Sequence, residues 1–348
     1  MADNRADTLA QIDTQALAAW LAAHVPDATG PVTAAKFPGG QSNPTFLVTV
    51  GSRRLVLRKK PPGLLLKSAH AVDREYRVMT ALAGTGVPVP RTVALCEDDS
   101  VLGTMFMVME HVEGRIFWDP AMPESSPTER TAVYDAMNAA LAALHTVDVA
   151  AAGLADFGRP GDYFARQTKR WTDQYRASET EPLAAMDALI AWLGVHMPPD
   201  DGRSSLVHGD YRIDNMIFAP DAPRLLAILD WELSTLGHPF ADLAYQCMQW
   251  RLPNDGDFRG LAGVDRAALG LPTEEAYVAA YCARMGIEAV PNWSFCLAFS
   301  FFRLAAILQG VLRRSLDGNG SNPERGLKMG RNVPVLASMA CDLVGVAP

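Results

Sequence analysis

The chain has 348 residues, of which 49% are hydrophobic and 20% charged, so it can bury a sizeable core. Its formal net charge is −8, and this acidic excess argues against nucleic acid and anionic membranes as partners. The five scattered cysteines form no Cys-x-x-Cys pair, no secretory signal precedes them, and no run of about 18 apolar residues is expected. These features predict a cytoplasmic protein with free thiols and no membrane span.

The first part of the chain is predicted to be a sheet interrupted by one helix. Residues 8–24 place apolar side chains at helical spacing, and Pro26 follows as a stop. Helical spacing returns over residues 69–82. Strands are predicted at 32–37, 45–50 and 53–60, and within 87–99 and 104–112.

The rest of the chain is mainly helical by pattern. A short zone of strands and turns at 205–232 carries most of the unusual polar residues. The sequence therefore predicts an α+β protein with a small, antiparallel, β-rich lobe at 1–112 and a larger, mainly helical lobe at 113–348. Predicted helices lie at 127–146, 161–177, 182–196, 273–285, 293–314 and 333–344.

The strongest functional pattern is LVHGDYRIDNMIF, residues 206–218. Apolar residues flank a polar turn in which Asp210 follows His208 by two positions and precedes Asn215 by five. This is the spacing of a kinase catalytic loop. Asp210 is predicted to accept the proton of an incoming hydroxyl group, and Asn215 to hold a magnesium ion on the phosphates. The competing interpretation is an ordinary tight turn.

A second carboxylate, Asp230, ends the apolar segment LLAILD. Because Mg²⁺ prefers one or two carboxylates together with phosphate oxygens, Asn215 and Asp230 are the predicted metal ligands. Arg212 follows the predicted base by two positions. It could neutralise charge on the γ-phosphate, or it could pair with Asp214, and the pattern leaves both open.

The first lobe carries a Gly-rich loop between two predicted strands, where backbone N–H groups could contact phosphates. An ordinary hairpin is the alternative. The candidate nucleotide-binding residues of this loop are Gly40, Gln41, Ser42 and Asn43.

The strand that follows the loop is basic, with sequence RRLVLRKK. Arg58 shares a strand face with Val56 and is the predicted cation for the α- and β-phosphates, with Lys60 as the alternative. Glu75, in the next helix, is predicted to pair with that cation, although an exposed helical glutamate would look the same.

These motifs, together with REYRVMTAL, VMEHVEGR, LDWELSTLGHPFADLAY and FRLAAILQGVLRR, resemble the aminoglycoside phosphotransferase and choline kinase superfamily of protein-kinase-like folds. Within it, the sequence is most similar to kinase-like domains associated with acyl-CoA dehydrogenases. The resemblance implies ATP and Mg²⁺ as cofactors, purine contacts from the main chain of Glu110 and Val112, and a brace on the catalytic loop from Asp242. The sequence departs from many kinases in having arginine at position 58 and Trp-Glu after Asp230.

The short segment after Asp230 leaves no room for a peptide-docking activation segment, so the acceptor is predicted to be a small molecule. The finer resemblance implies a hydroxy acid or a hydroxyacyl thioester, and Arg166, Lys169 and Arg170 could meet an anionic carrier such as coenzyme A. One alternative is an aminoglycoside- or choline-type kinase, and another is a nucleotide-binding scaffold without catalysis. Candidates for contact with a cationic acceptor are Asp255, Asp257, Trp231 and Trp250.

Overall fold

The chain divides into two compact units, Met1–Gly114 with Leu226–Glu232, and Arg115–Leu225 with Leu233–Pro348. Residues 226–232, which the sequence pattern grouped with the second lobe, belong to the first unit. The structure, a computed structural model, describes residues 12–37, 43–61, 71–255, 258–318 and 323–348.

The first unit contains a five-stranded antiparallel sheet in the order β1-β2-β3-β5-β4. Its strands form where apolar side chains alternate; in β2, for example, Phe46, Val48 and Val50 are buried. The strands are β1 (Val32–Lys36), β2 (Thr45–Val50), β3 (Arg53–Lys59), β4 (Thr92–Cys96) and β5 (Phe106–Glu110).

Helices accompany this sheet. The first begins where the Asp13 side chain accepts hydrogen bonds from the amides of Gln15 and Ala16. Its buried residues, Leu17 and Leu21 among them, share one apolar core with the sheet. The helices of this unit are α1 (Thr14–His24), α2 (Val72–Leu82) and α3 (Asp99–Leu102).

The second unit is mainly helical. The first described helix of this unit begins at Pro127, and Ser126 caps it by accepting from the amide of Glu129. The helices are α4 (Pro127–His145), α5 (Tyr163–Ser178), α6 (Ala184–Val195), α7 (Pro239–Met248), α8 (Arg266–Leu269), α9 (Glu274–Met285), α10 (Trp293–Leu316), α11 (Pro323–Gly330) and α12 (Asn332–Val344).

Helix α10 is the centre of this unit and packs against α5, α6, α7, α11 and α12. By length and composition it could cross a membrane, contrary to the expectation that no such apolar run exists. However, 78% of its apolar window is buried inside the protein, as in a core helix. Its apolar character is thus explained by packing on all sides.

Short strands in the second unit hold the polar loop that the sequence singled out. Strands β6 (Ser205–Val207) and β9 (Thr235–Gly237) pair in antiparallel fashion. Strand β7 (Met216–Phe218) follows the loop. Strand β8 (Leu225–Ile228), most of which belongs to the first unit, leads to Asp230. The loop is therefore anchored at both ends by buried backbone.

The α+β architecture predicted from the sequence, an antiparallel sheet followed by a mainly helical remainder, is confirmed, and the long helices of the second unit lie within a few residues of their predicted bounds. The short helices α3, α8 and α11 were not predicted, because four to eight residues cannot show a clear helical period. All five cysteines are free, as expected, and all are buried.

Candidate active site

The loop between β6 and β7 carries Asp210 and depends on a glycine immediately before it. Gly209 has φ +85°, a conformation that residues with a Cβ rarely adopt. A Cβ at this position would lie 2.7 Å from the Leu233 carbonyl oxygen. The tight turn thus needs glycine, and it directs the chain so that Asp210 follows the buried strand β6.

Asp210 is held by several polar groups of the second unit. The Asn215 amide nitrogen donates to the Asp210 side chain and to its backbone carbonyl, both at 2.9 Å. Arg212 Nε lies 3.1 Å from the carboxylate, and the Tyr245 side chain also bonds to it. Burial opposes the charge of Asp210, but Arg212, His208 and these hydrogen bonds together lower its pKa. Asp210 is therefore ionised at neutral pH, as a proton acceptor must be.

Asp242, on α7, fastens the backbone of this loop. It accepts hydrogen bonds from the amides of His208 at 2.5 Å and Gly209 at 2.8 Å. Asp242 is almost completely buried, with His145 Nε2 3.5 Å away. Burial alone would raise its pKa, but His145 and the backbone donors lower it. The geometry fits the bracing role that the resemblance implied.

Arg212 contacts two carboxylates. Its Nη2 lies 3.4 Å from Asp214, so the ion pair weighed as one of two alternatives is present. The contact with Asp210 was not foreseen. A role on the γ-phosphate stays a prediction.

In the first unit, Arg58 on β3 is surrounded by three carboxylates. Its Nε lies 2.8 Å from Glu75 on α2, which is the ion pair expected from the sequence. Its Nη2 lies 2.6 Å from Asp230 and 3.6 Å from Glu232. The arginine side chain is only 11% exposed. Glu232 was not singled out by sequence reasoning, although it lies only two residues after Asp230.

The charges in this cluster oppose one another. The pKa of Glu75 is raised to about 7. Burial is the largest cause of the rise, Arg58 counteracts it, and Asp230 and Glu232 add to it. Burial disfavours the charge on Arg58, but the three carboxylates raise its pKa above the ordinary arginine value. With more negative than positive groups present, the cluster can accommodate a further cation.

Lys60, the alternative to Arg58, does not belong to this cluster. It follows the last residue of β3, and its Nζ lies 4.0 Å from Asp73. The neighbouring Lys59 is buried and donates to the Leu102 carbonyl at 3.0 Å. Arg58 is therefore the strand cation that contacts the predicted metal ligand.

The predicted magnesium ligands have the right chemistry for Mg²⁺. Asp230 supplies a carboxylate in the first unit, and its φ of +65° is strained for a residue with a side chain. Asn215, in the second unit, uses its amide nitrogen on Asp210. Among the described residues nothing donates to the Asn215 amide oxygen, so that oxygen is free to serve as a ligand. Both residues would bind the metal through oxygen, the hard ligand atom that Mg²⁺ prefers.

The remaining predicted nucleotide contacts lie in the first unit. Gly40, Gln41 and Ser42 lie outside the described residues. Asn43 donates to Glu232 at 3.2 Å, which ties the end of the Gly-rich loop to the carboxylate cluster.

Glu110 ends β5, and Val112 follows two residues later. The Glu110 amide donates to the Arg91 carbonyl at 2.9 Å, so a purine contact at this residue would use its carbonyl oxygen. The Glu110 side chain accepts from Arg53 and from Arg91, each at 2.6 Å. Its carboxylate therefore anchors the end of the strand.

The residues proposed for a cationic acceptor are engaged elsewhere. Trp231 and Trp250 are buried, and their indole nitrogens donate to the carbonyls of Ile228 and Pro272. They are core aromatics, the alternative that the sequence left open. Asp255 accepts from the Phe258 amide at 3.0 Å. Asp257 lies outside the described residues.

Two of the three cations proposed for an anionic carrier also have local partners. Lys169 pairs with Asp173 at 2.7 Å on the exposed face of α5. Arg166 donates to the backbone carbonyls of Arg159 and Pro160.

Tyr245, which contacts Asp210, was missed by sequence reasoning. The available signal was its position three residues after Asp242 on one helix.

Comparison with known proteins adds a family match. The sequence profile of the phosphotransferase enzyme family matches residues 33–281. A crystal structure from Ralstonia eutropha JMP134, provisionally named an aminoglycoside phosphotransferase, is 50% identical with a TM-score of 0.87, covering 96% of this chain and 99% of that one. A thermostable mutant of aminoglycoside phosphotransferase APH(4)-Ia, in complex with AMP-PNP and hygromycin B, has a TM-score of 0.61 over 91% of this chain and 96% of that one. At 16% identity, this second likeness concerns the fold alone.

A curated relative is much longer than this chain. Acyl-CoA dehydrogenase family member 10 of Mus musculus is 50% identical over 315 residues, which is 90% of this chain but 29% of the mouse protein. The chain thus spans less than a third of that relative's length. The similarity agrees with the finer resemblance noted in the sequence.

Proposed function

Because the chain belongs to the phosphotransferase enzyme family, we propose that it transfers the γ-phosphate of ATP to a hydroxyl group of a small molecule, with Asp210 as the base. The observation that carries this proposal is the state of Asp210. Its pKa is lowered, and Asn215, Arg212 and Tyr245 hold its carboxylate in a loop that Asp242 braces. An ionised, oriented carboxylate is what general-base catalysis of hydroxyl attack requires.

In the proposed reaction the acceptor oxygen forms a bond to the γ-phosphorus of ATP while the bond to the β,γ-bridging oxygen breaks and ADP leaves. The acceptor's proton goes to Asp210. Arg212, with a guanidinium 3.1 Å from that carboxylate, would help to balance charge on the transferred group. Its pairing with Asp214 keeps the guanidinium in place when the phosphate is absent.

For the nucleotide, we propose that Arg58 contacts the α- and β-phosphates and that Glu75 orients it. The residues of the Gly-rich loop and the main chain of Glu110 and Val112 would complete the ATP site. Asn215 and Asp230 would hold Mg²⁺, which neutralises charge on the phosphate oxygens. The acidic surroundings of Arg58 support this assignment, because they leave negative charge for a metal ion to offset.

The acceptor is proposed to be a hydroxy acid or a hydroxyacyl thioester. The motivation is the name of the relative, acyl-CoA dehydrogenase family member 10, which refers to an acyl thioester; this chain covers 29% of that protein. Neighbours named as aminoglycoside phosphotransferases keep a cationic acceptor as a second candidate. The burial of Trp231 and Trp250 weakens that candidate, because neither ring is exposed to receive a cation.

The deciding experiment measures ATP consumption with Mg²⁺ against hydroxy acids, hydroxyacyl-CoAs, aminoglycosides, choline and small sugars. Asp210→Asn is expected to lower turnover by at least about 100-fold while Mg-ATP still binds, because it removes the base but keeps the shape. Asp173→Asn, on the exposed face of α5, is the matched control and should keep full activity.

Unchanged turnover in Asp210→Asn would show that another group accepts the proton. If ATP consumption rose with none of these acceptors while Mg-ATP still bound, the result would favour a nucleotide-binding scaffold without catalysis.

A further inference from the structure

Arg303, in the middle of α10, is a buried cation with no carboxylate paired to it among the described residues. It is 5% exposed. Its guanidinium carbon lies 5.3 Å from the centre of the Tyr245 ring and 5.7 Å from that of Trp171. Within the described part of the chain, no carboxylate pairs with it and no hydrogen bond engages it. Contacts with aromatic faces recover only part of the cost of burying a cation.

Trp171, whose ring Arg303 contacts, is a buried polar residue on α5. Trp171 and Thr168, 5% and 8% exposed, lie one helical turn apart on α5, which packs against α10. Among the described residues, neither the Trp171 indole nitrogen nor the Thr168 hydroxyl has a hydrogen-bond partner. Two buried donors that lack a partner in the described part of the chain are costly, and Trp171 is the one in contact with Arg303. They are the groups that an anionic ligand would satisfy.

A second cation lies at the same indole. The Arg170 guanidinium carbon is 5.2 Å from the Trp171 ring and, in the described part of the chain, no acid pairs with this residue either. Burial and the positive charge of Arg303 lower the pKa of Arg170. Of the three basic residues proposed from the sequence for an anionic carrier, Arg170 is the one that remains available. Two neighbouring arginines, with no acid paired to either in the described ranges, form a site of strong positive charge.

This positive site adjoins the proposed base through one side chain. The Tyr245 ring contacts Arg303, and the hydroxyl of the same tyrosine bonds to Asp210. All of these residues belong to the second unit. An acceptor long enough to reach from one end of the Tyr245 side chain to the other would place an anionic group at Arg303 and a hydroxyl group at Asp210.

We propose that Arg303, assisted by Arg170, binds an anionic group of the phosphate acceptor, a carboxylate or a phosphate, beside Asp210. The inference rests on the proposed function, since an acceptor subsite requires a transfer reaction. Arginine suits this role because its planar fork binds carboxylate and phosphate groups through paired hydrogen bonds. The same charge would repel a cationic acceptor. The anion has two chemical sources, the carboxylate of a free hydroxy acid or the phosphates of a coenzyme A thioester.

The test compares anionic probes with matched neutral ones by calorimetry, in the presence of saturating Mg-AMP-PNP so that coenzyme A cannot occupy the nucleotide site. The first pair is 3-hydroxybutanoate and 3-hydroxybutanamide, and the second is coenzyme A and pantetheine. The wild type should bind at least one anion about tenfold or more tightly than its neutral partner, and Arg303→Gln should abolish that preference. A preference confined to the first pair identifies the carboxylate; one confined to the second identifies the phosphates.

Arg313→Gln is the matched control, because Arg313 lies on the same helix, is exposed and pairs only with Asp317 among the described residues. Should Arg303→Gln fail to fold in a melting experiment, the exposed Arg170→Gln variant serves instead and should reduce the preference in the same direction. Equal binding of anion and neutral partner, no binding of either anion, or an unaltered preference in the arginine variants would overturn the proposal. Arginine-dependent anion binding with no phosphate transfer to any acceptor would support the anion site and overturn the proposed function.

Discussion

Asp210 has a lowered pKa although burial works against its charge, and the reason is the set of donors aimed at it. Arg212 supplies positive charge, and Asn215 and Tyr245 supply hydrogen bonds. The proposed base is thus available at neutral pH. The Tyr245 hydroxyl is the one donor of this set that lies outside the catalytic loop.

Tyr245→Phe therefore tests how far the Tyr245 hydroxyl lowers the pKa of Asp210. Removing a hydrogen bond that favours the carboxylate should raise the pKa of Asp210, so the acid limb of the kcat/KM profile should move to higher pH. We expect the limb to move by about one pH unit, the size of one hydrogen bond to a charged group, whereas kcat/KM at neutral pH, where Asp210 stays ionised, should change little. The measurement is a pH–rate profile of the variant with the best acceptor.

The control is Tyr277→Phe, because the Tyr277 hydroxyl is buried without a hydrogen-bond partner among the described residues. Its profile should match the wild type. An acid limb that stays in place in Tyr245→Phe would contradict the role given to the hydroxyl.

At the scale of elements, α7 organises the second unit's part of the site. His238 caps its first turn, where Pro239 begins the helix. Asp242 and Tyr245 follow at a spacing of three, so both lie on one face, which contacts the catalytic loop. One short helix therefore fixes both the backbone of the loop and the carboxylate that the loop carries.

Asp242→Asn should destabilise the protein by about 3 kcal/mol, because the buried amides of His208 and Gly209 lose a charged acceptor. The pKa of Asp242 is lowered in the folded state. The stability that ionised Asp242 contributes is therefore fully present above the ordinary carboxyl pKa of about 4. It is lost as the pH falls from there through the lower pKa of the folded state. In the variant, the free energy of unfolding should lose part of its acid dependence.

Urea unfolding at a series of pH values measures this, with the exposed Asp187→Asn as the control. Equal slopes of stability against pH below about 5 in the variant and the wild type would count against the assignment.

At the scale of the whole molecule, the two units hold different parts of the proposed chemistry. The first contains Arg58, Glu75 and Asp230, and the second contains Asp210 and Asn215. In the proposed function, the residues of the first unit include the phosphate-binding cation Arg58 and the metal ligand Asp230. Those of the second include the base Asp210 and the metal ligand Asn215.

Mg-ATP should stabilise the native protein, since it binds the folded chain and not the unfolded one. At 100 times the dissociation constant the gain is about 2.7 kcal/mol. We expect Asp230→Ala to lose most of the magnesium-dependent part of this gain, because a predicted ligand is removed. Differential scanning calorimetry with ATP, with and without Mg²⁺, measures the increment, and Asp221→Ala, an exposed acid, is the control. An equal, magnesium-independent shift in wild type and Asp230→Ala would refute the metal assignment.

The sequence by itself determined the elements and the local motifs. Helical period, capping residues and strand alternation are properties of neighbouring residues, so α4, α9 and β2 were predicted almost to the residue. The relation between Asp210 and Asn215 is also local, because five residues of one turn suffice to bring the amide to the carboxylate.

Only the tertiary structure decided which distant side chains meet. Arg58 and Asp230 are 172 positions apart, and nothing in their local patterns reveals a contact of 2.6 Å. The sequence offered Trp231 as a possible contact for a cationic acceptor, but in the folded protein its side chain is buried in the core. Arg303 stands within an apolar helix without any motif, and its significance arises from what α5 and α7 place around it, and from the absence of an acid among its described neighbours. Local backbone preference acts over a few residues, whereas burial and charge pairing depend on the folded arrangement of the chain.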